Sequence, residues 1–246
     1  MDRAVFVAAS VGKQLLRSQV VNSNNLANAN TIGFQADLAG FRTMMVDGPG
    51  FASRSFAFAE SLGVSGAKGT IQPTGRSLDL AVNGDGWIAV QAPDGSEGYT
   101  RAGSLKINLN GQLTTAGGLP VLGSGGPIVI PEYETLEIAG DGTVSVKPIG
   151  QQPSTVAEVS RIKVVSPPHA DLEKGDDGLL HMRDGSEAEP STTVSLISGS
   201  LENSNVNGVE MMTNMISLAR QYEMSIKIMS TVKEMDEKAT SLMNLG

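Results

Sequence analysis

Apolar side chains near the C-terminus recur alternately four and three residues apart. The positions are Met211, Met215, Leu218, Tyr222, Ser225, Met229, Val232, Asp236, Ala239 and Met243, and most of them are apolar. This spacing is the seam of a heptad repeat, and it predicts a long C-terminal helix. Asn207 and Glu210 have the spacing of a capping box, and no Pro or Gly interrupts the chain from Val209 to Leu245.

A second apolar row lies beside the C-terminal seam. It consists of Met212, Ile216, Ala219 and Ile226. Two neighbouring rows make the apolar face of this helix broad. We therefore predict that the helix contacts more than one neighbour.

The N-terminal residues form a weaker helical stripe. Its apolar positions are Ala4, Val7, Ala8, Val11 and Leu15 with Ser18, and Asn22 and Asn25 continue the same face in polar form. Polar residues in a seam reduce stability but fix the register of a helix pair. Alternatively, the helix frays into an Asn-rich turn that Gly33 closes as a C-cap. The sequence leaves both interpretations open.

The middle of the chain, from about Leu78 to Ile197, has the pattern of an all-β domain. Apolar and polar residues alternate over 77–82, 87–90, 104–109 and 161–165. Turn pairs separate these runs: Asn83-Gly84, Asp94-Gly95, Asn110-Gly111, Asp141-Gly142 and Asp184-Gly185. Asn-Gly and Asp-Gly pairs favour tight hairpins because they accept positive φ angles.

These patterns predict an α+β protein in which an all-β central domain is inserted between N- and C-terminal helices that pair as a coiled coil. The predicted segments are an N-terminal assembly helix over 1–34, an extended connector over 35–76, the β domain over 77–198 and a C-terminal assembly helix over 199–246. The connector is predicted because residues 47–76 show little periodicity and many glycines.

Composition excludes several functional classes. The net charge is −8 and the basic residues are scattered, which argues against nucleic-acid binding. The chain has no Cys, so disulfides, Cys-based zinc sites and thiol catalysis are ruled out. No stretch approaches the ~20 apolar residues of a membrane span, and we predict no membrane insertion. The apolar segment 4–9 is too short for a signal peptide, so we expect the N-terminus to be retained.

Candidate chemistry is sparse. His169 and His181 have no nucleophile or metal ligand at a useful spacing, and we interpret both as surface residues. Residues 84–89 match a dinucleotide fingerprint formally, but a strand-like run follows instead of a helix, which favours a hairpin turn. We expect no catalytic residues, no metal and no cofactor. The alternative is a β-domain enzyme or carbohydrate-binding module with an oligomerisation stalk.

Several motifs together resemble the rod and hook family of bacterial flagellar axial proteins. The signature of that family is similar to residues 24–34, and its key positions here are Asn24, Asn25, Leu26, Ala27, Asn28, Gly33 and Phe34. Four further blocks resemble the family in the same order: 69–82, Tyr99-Thr100-Arg101-Ala102-Gly103-Ser104, 200–207 and 220–223. The start of the chain and residues 41–48 resemble the proximal-rod members. Distal-rod or hook membership is the alternative.

The resemblance implies a structural subunit of the rod that is exported by the flagellar type III apparatus without cleavage. It implies assembly in the periplasm with itself and with other proximal and distal rod proteins, through a layer formed by both termini, and a role in transmitting motor torque. We predict that the terminal helices are largely unfolded before assembly and fold on contact. The predicted assembly residues are Val7, Val11, Leu15, Asn22, Asn25, Leu26, Met211, Met215, Leu218, Tyr222, Ile226, Met229 and Val232.

Overall fold

The computed structural model describes residues 2–45, 55–150 and 157–243. It divides into two compact units. The helical unit comprises residues 1–27, 37–62 and 207–246, and the β unit comprises residues 28–36 and 63–206. Two terminal helices therefore flank a mostly β central region, which confirms the α+β class.

The helical unit contains two helices and one strand pair. Helix α1 spans Asp2–Ala27 and α2 spans Gly208–Met243, while β1 (Asp37–Met45) and β2 (Ser55–Val64) form a two-stranded sheet. Asn207 caps α2, because its side-chain oxygen accepts hydrogen bonds from the backbone N–H of Val209 and Glu210 at 3.1 and 3.4 Å. None of the described helices is long and apolar enough to span a membrane.

The segment 35–76, which was predicted as an extended connector, contains β1 and β2. Residues 46–54, between these strands, lie outside the described part of the chain. The alternation was hard to recognise because Phe56 and Phe58 alternate with alanines rather than with polar residues. Both faces of such a strand read as apolar or small, so its period of two is weak.

The β unit is built from short strands. They are β3 (Ile71–Pro73), β4 (Leu80–Asn83), β5 (Trp87–Gln91), β6 (Glu97–Thr100), β7 (Leu105–Ile107), β8 (Leu113–Thr115), β9 (Leu122–Gly123), β10 (Gly126–Pro127), β11 (Tyr133–Ile138), β12 (Thr143–Pro148), β13 (Ala157–Arg161), β14 (Val164–Val165), β15 (Leu172–Lys174), β16 (Leu180–Met182), β17 (Ser195–Ser198) and β18 (Ser200–Glu202). A 3₁₀ turn spans His169–Asp171.

In the described part of the β unit, all paired strands are short and antiparallel. Its largest sheet has the order β14-β5-β6-β16-β15, and a three-stranded sheet has the order β11-β12-β13. The last strands return to the first, because β17 pairs with β4 and β18 pairs with β3. The chain therefore leaves the β unit beside the strands through which it entered.

Three of the five predicted turn pairs join strands that pair with each other. Asp94-Gly95 lies between β5 and β6, Asn110-Gly111 between β7 and β8, and Asp141-Gly142 between β11 and β12. Asn83-Gly84 joins strands of different sheets, and Asp184-Gly185 does not join paired strands. The hairpin prediction for residues 84–89 was therefore wrong, because a positive-φ turn residue allows a change of sheet as readily as a hairpin.

Two apolar clusters form the core of the β unit. The larger includes Leu80, Val90, Leu105, Leu113, Val121, Val144 and Ile162, and the smaller includes Trp87, Tyr99, Val165, Leu172 and Leu180. Trp87 and Ile88 face different clusters although both are fully buried. Strand β5 is thus buried on both faces, and for this reason the run Trp-Ile-Ala-Val is continuously apolar. The alternation that we expected over 87–90 was therefore wrong.

Candidate assembly surfaces

Helix α2 has one narrow covered face. The covered side chains are Met211, Met215, Leu218, Tyr222, Ser225, Met229 and Val232, of which Ser225 is buried and the others are partly buried. All other side chains described between Val209 and Lys238 are exposed. Every covered position belongs to the heptad seam that the sequence predicts. Of the α2 residues in the predicted assembly set, Ile226 alone lies outside this seam, and it is 45% exposed.

Helix α1 covers a matching face. Ala8, Leu15, Asn22 and Asn25 are buried, and Leu26 is partly buried. Gly12 and Gln14 are also buried, although neither was included in the predicted set. Val11 was included but is 42% exposed. Val7 belongs to α1, and its side chain lies outside the described part of the structure.

Hydrogen bonds at two levels show that α1 and α2 run antiparallel. The side-chain amide of Asn22 donates to the carbonyl oxygen of Met211 at 2.8 Å, and the Ser225 hydroxyl donates to the carbonyl oxygen of Ala8 at 2.9 Å. A higher number on one helix thus meets a lower number on the other. At Gly12 a β-carbon would lie 3.4 Å from the Ser225 hydroxyl, so glycine permits a close approach there.

The two asparagines at the end of the α1 stripe are both buried. Asn25 accepts a hydrogen bond from the N–H of Asp37 at 2.9 Å and donates to the carbonyl oxygen of the same residue at 3.0 Å. The Asn25 side-chain amide therefore binds both the N–H and the carbonyl oxygen of Asp37, as the backbone of a paired strand does. Together with the bond from Asn22 to α2, this places both asparagines inside the packed face of a helix that continues to Ala27.

Large apolar side chains remain exposed beside the covered faces. On α2 they are Val209, Met212, Ile216, Met224, Ile226, Ile228 and Met235, which are between 45% and 74% exposed. On α1 they are Val11, Leu16 and Val20. A helix that has already buried one apolar stripe gains nothing within the monomer from these side chains. Contiguous exposed apolar patches are typical of interaction sites, which makes these side chains candidates for an assembly surface.

The β unit holds a buried ion pair near the point where the chain enters and leaves it. The Arg101 guanidinium contacts both carboxylate oxygens of Glu202 at 3.1 and 3.2 Å, and these side chains are 3% and 1% exposed. Arg101 also donates to the carbonyl oxygen of Gly84 at 3.0 Å and lies over the Trp87 ring at 4.9 Å. The pair joins two segments about one hundred residues apart in sequence, so single-sequence spacing could not reveal it.

Gly33 of the family signature and Gln35, just after the signature, both bind Glu202 of this ion pair. The N–H of Gly33 donates to the carbonyl oxygen of Glu202 at 2.8 Å, and the Gln35 amide donates to the Glu202 carboxylate at 3.2 Å. Gly33 has a φ of +68°, and a β-carbon there would lie 2.3 Å from the backbone nitrogen of Ala102. Gly33 is therefore required for its close contact with the backbone of Arg101 and Ala102. It is not the C-cap of a helix.

Asn205, near the end of the β unit, forms hydrogen bonds with two segments near its start. Its amide donates to the Gln35 side chain at 2.7 Å and to the carbonyl oxygen of Ala67 at 2.8 Å, and its oxygen accepts from the N–H of Ala36 at 2.8 Å. We call Gly33, Gln35, Arg101, Glu202 and Asn205 the clasp. Three blocks that resemble the rod and hook family thus meet at one point of the β unit.

Both histidines are partly exposed, and both also make specific contacts. The His181 ring lies 3.0 Å from the carbonyl oxygen of Glu97 and 3.1 Å from the Asp177 carboxylate. The His169 ring packs edge-on against Trp87 with 5.9 Å between ring centres. Sequence spacing could not show these contacts, because they depend on strand pairing. Within the described residues, no three His, Asp or Glu side chains are grouped as metal ligands.

Electrostatics differ between the two units. By sequence, the helical unit has nine basic and nine acidic side chains, and the β unit has nine basic and seventeen acidic ones. All of the net charge of −8 therefore belongs to the β unit. Burial raises the pKa of Tyr99 to about 12, and its hydroxyl accepts a hydrogen bond from the N–H of Ala188 at 2.7 Å.

Comparisons with known proteins agree with these features. Residues 197–242 match the family model for the C-terminal region of flagellar basal body rod FlgEFG proteins, and residues 81–146 match the model for the D1 domain of the flagellar hook protein FlgE/F/G. The chain is 41% identical to the flagellar basal-body rod protein FlgF of Salmonella typhimurium and 40% identical to that of Escherichia coli, over the full length of each. It is 34% identical to the flagellar basal-body rod protein FlgG of Buchnera aphidicola, over 94% of this chain and 98% of the relative.

Proposed function

The chain belongs to the family of flagellar basal-body rod proteins, with the FlgF proteins of the proximal rod, and on that premise we propose that its two terminal helices are the surfaces through which it assembles. It is a structural subunit of the bacterial flagellar rod. The observation that carries the proposal is the apolar surface left exposed on both helices after their common seam is covered.

The pairing of α1 and α2 is proposed to be a two-stranded antiparallel coiled coil. The heptad spacing of the covered α2 face supports it, since a seam that repeats every 3.5 residues keeps facing one partner. The hydrogen bonds of Asn22 and Ser225 to the opposite backbone support a fixed register. A buried polar group left without a partner costs about 1–3 kcal/mol, so a shift of register would be penalised at both levels.

The exposed rows are proposed to pack against the helices of neighbouring rod subunits, both copies of this chain and other rod proteins. A contact between two different surfaces that does not close on itself generates a helical array, which is the form of a rod. Many such contacts in parallel would let the rod act as a drive shaft for motor torque. The balanced charge of the helical unit favours close packing, because neighbouring copies carry no net repulsion there.

Export by the flagellar type III apparatus, retention of the N-terminus and assembly in the periplasm are parts of the same proposal. Large exposed apolar side chains on both helices support late folding, because such surface is costly until a neighbour covers it. Limited proteolysis of the purified monomer tests this idea. We expect early cleavage within α1 and α2 and slow cleavage within the β unit, and full protection of both helices in a dilute monomer would contradict it.

The assembly proposal is tested by Ile226→Asp in a strain that lacks the wild-type protein. Ile226 is 45% exposed, so an aspartate there should leave the monomer folded and secreted while placing an uncompensated charge in the contact with a neighbour. We expect loss of swimming and of completed rods in electron micrographs of basal bodies. The matched control is Thr231→Asp, also at an exposed position of α2, which should swim normally. Normal rods with Ile226→Asp would overturn the proposal.

Electron microscopy of basal bodies from cells without this protein tests its place in the rod. We expect the rod to stop before the distal segment, because later subunits would have no neighbour on which to assemble. A rod of normal length would show that the chain serves elsewhere in the flagellum.

A further inference from the structure

A groove and a ridge, both apolar, lie on the helical unit, and we infer that the ridge of one copy of this chain binds in the groove of a second copy. This inference rests on the proposed function and adds to it the two surfaces, their direction and their displacement. The groove has a volume of about 600 Å³ and runs between α1 and α2. Val11, Leu15, Met224 and Ile228 line it, together with Ala8, Gln221 and Ser225.

The ridge is formed by Leu16 and Val20 on α1 and by Met212 and Ile216 on α2. These four side chains are between 49% and 69% exposed. The antiparallel hydrogen bonds pair residue 22 with residue 211 and residue 8 with residue 225. By the same register, Leu16 is level with residue 217 and Val20 with residue 213, as the rise per residue is equal on both helices. The four side chains therefore form one patch.

The ridge and the groove lie on opposite sides of the helix pair. Each residue of an α-helix turns by about 100°. Counted from Leu218 in the covered seam, Met212 and Ile216 lie roughly 120–160° away in one direction. Met224 and Ile228 lie roughly 80–120° away in the other direction. One copy can therefore present its ridge to one neighbour and its groove to another at the same time.

The two surfaces are also displaced along the helix axis. Ridge residues centre between the levels of residues 214 and 215 of α2, and groove residues centre about nine residues further along α2. At about 1.5 Å per residue, the displacement is roughly 13 Å. A copy whose ridge fills the groove of the next copy is therefore shifted along the axis relative to it. Repetition of this heterologous contact winds copies into a helix instead of closing a two-fold dimer.

Chemistry favours a second copy as the occupant of the groove. Five of the seven side chains that line the groove are aliphatic or Met, and the ridge presents Leu, Val, Met and Ile. Flexible Met side chains on both surfaces can adapt to each other. The equal numbers of basic and acidic residues in the helical unit remove net repulsion between copies. Each copy supplies both halves of the contact.

Engineered cysteines can test the contact, because the natural chain contains none. Ile216→Cys places a thiol on the ridge and Ile228→Cys places one on the groove. Each variant and the double variant would be expressed in cells that lack the wild-type protein, and isolated basal bodies would be oxidised and separated without reductant. We expect a ladder of cross-linked copies from the double variant, dimers from cells that express both single variants, and no cross-link from either single variant alone.

Other outcomes overturn the inference. Homodimers of Ile216→Cys alone would indicate a two-fold contact of ridge with ridge. Absence of a ladder from the double variant, in basal bodies that contain it and swim normally, would show that the groove takes a different partner, while the proposed function would stand. The control pair Lys13→Cys with Thr231→Cys, on exposed positions outside both surfaces, should give no ladder.

Charge exchange provides a second measurement that does not require oxidation. Ile216→Lys and Ile228→Glu should each abolish swimming, because each puts a charge against an apolar surface. The double variant should recover at least part of the swimming rate, because the lysine of one copy would meet the glutamate of the next. Absence of any recovery, with both single variants folded and secreted, would overturn the pairing of these surfaces. Normal swimming of both single variants would instead refute the proposed function.

Discussion

The ion pair of the clasp should stabilise the β unit strongly, and Glu202→Ala tests this. One carboxylate oxygen of Glu202 accepts hydrogen bonds from Arg101 at 3.1 Å, from the Gln35 amide at 3.2 Å and from the N–H of Gly69 at 2.9 Å. Truncation removes this acceptor from all three donors and leaves the guanidinium, which is 3% exposed, without a counter-charge.

The expected cost follows from the burial of both partners. Removing one member of a buried ion pair costs about 3–5 kcal/mol, because the remaining charge stays desolvated. For a unit of this size, each kcal/mol lowers the melting temperature by roughly 2–4 °C. We therefore expect a decrease of roughly 6–20 °C, or a fall in the urea midpoint of roughly 1.5–2.5 M for an m value near 2 kcal/mol/M.

Fluorescence of Trp87 is the natural assay. It is the single tryptophan of the chain, it lies in the core of the β unit, and Arg101 lies over its ring. Urea titration followed by this signal therefore reports the β unit. The matched control is Glu134→Ala, whose ion pair with Lys147 involves a carboxylate that is 56% exposed. Exposed ion pairs contribute about 0–1 kcal/mol, so the control should unfold close to the wild type.

A double variant separates the net contribution of the ion pair to the free energy of unfolding from the cost of leaving one buried charge without a partner. Arg101→Met with Glu202→Leu removes both charges, and it should be more stable than Glu202→Ala, because no buried charge is left without a partner. Two results would refute this reasoning. One is a loss of less than about 1 kcal/mol of unfolding free energy in Glu202→Ala. The other is a loss in the double variant that exceeds the sum of the losses in Arg101→Met and Glu202→Leu measured singly.

Three further predictions concern other positions. Gly33→Ala should lower the urea midpoint far more than Gly75→Ala, because both glycines have positive φ but only Gly33 has backbone atoms within 3 Å of the new β-carbon; equal effects would contradict the steric argument. Asn22→Ala should weaken the pairing of α1 with α2 by about 0.5–1.5 kcal/mol, because it removes the hydrogen bond from the Asn22 amide to the Met211 carbonyl oxygen, and rods assembled from this variant should dissociate at a lower temperature than wild-type rods; equal dissociation temperatures would contradict it. Tyr99, whose pKa is raised to about 12 mainly by burial, should stabilise the fold fully below its ordinary pKa of 10.0 and lose that stabilisation as the pH rises towards 12; an alkaline titration of tyrosine absorbance in which all three tyrosines ionise together near pH 10 would refute it.

Periodicity alone determined the covered face of α2. All seven covered positions follow the alternation of three and four residues, because one partner lies along the whole described length of that face. The stripe on α1 was less informative. Gly12 is buried and Val11 is exposed, since close approach at a residue without a side chain shifts the contact towards glycine. A pattern of apolar residues cannot predict a contact that depends on the absence of a side chain.

The motifs of the rod and hook family were visible in the sequence, and their physical role was not. Gly33, Arg101 and Glu202 lie in three separate blocks, and each could be read as a turn or strand residue. Only the return of β18 to β3 brings Glu202 beside the strands at which the chain enters the β unit. Long-range pairing of this kind is set by the packing of many strands together, and no local spacing records it.

By itself, the sequence determined the class of the protein, the seam of its C-terminal helix and the family that its motifs resemble. These features depend on local periodicity and on short motifs, which a single chain shows directly. The tertiary structure decided which apolar residues are used within the monomer and which are left for a neighbour. It also decided that Gly33, Arg101 and Glu202, far apart in the sequence, meet at one buried ion pair. Both decisions depend on contacts between distant segments, and the free energy of such contacts exists only when the chain has folded.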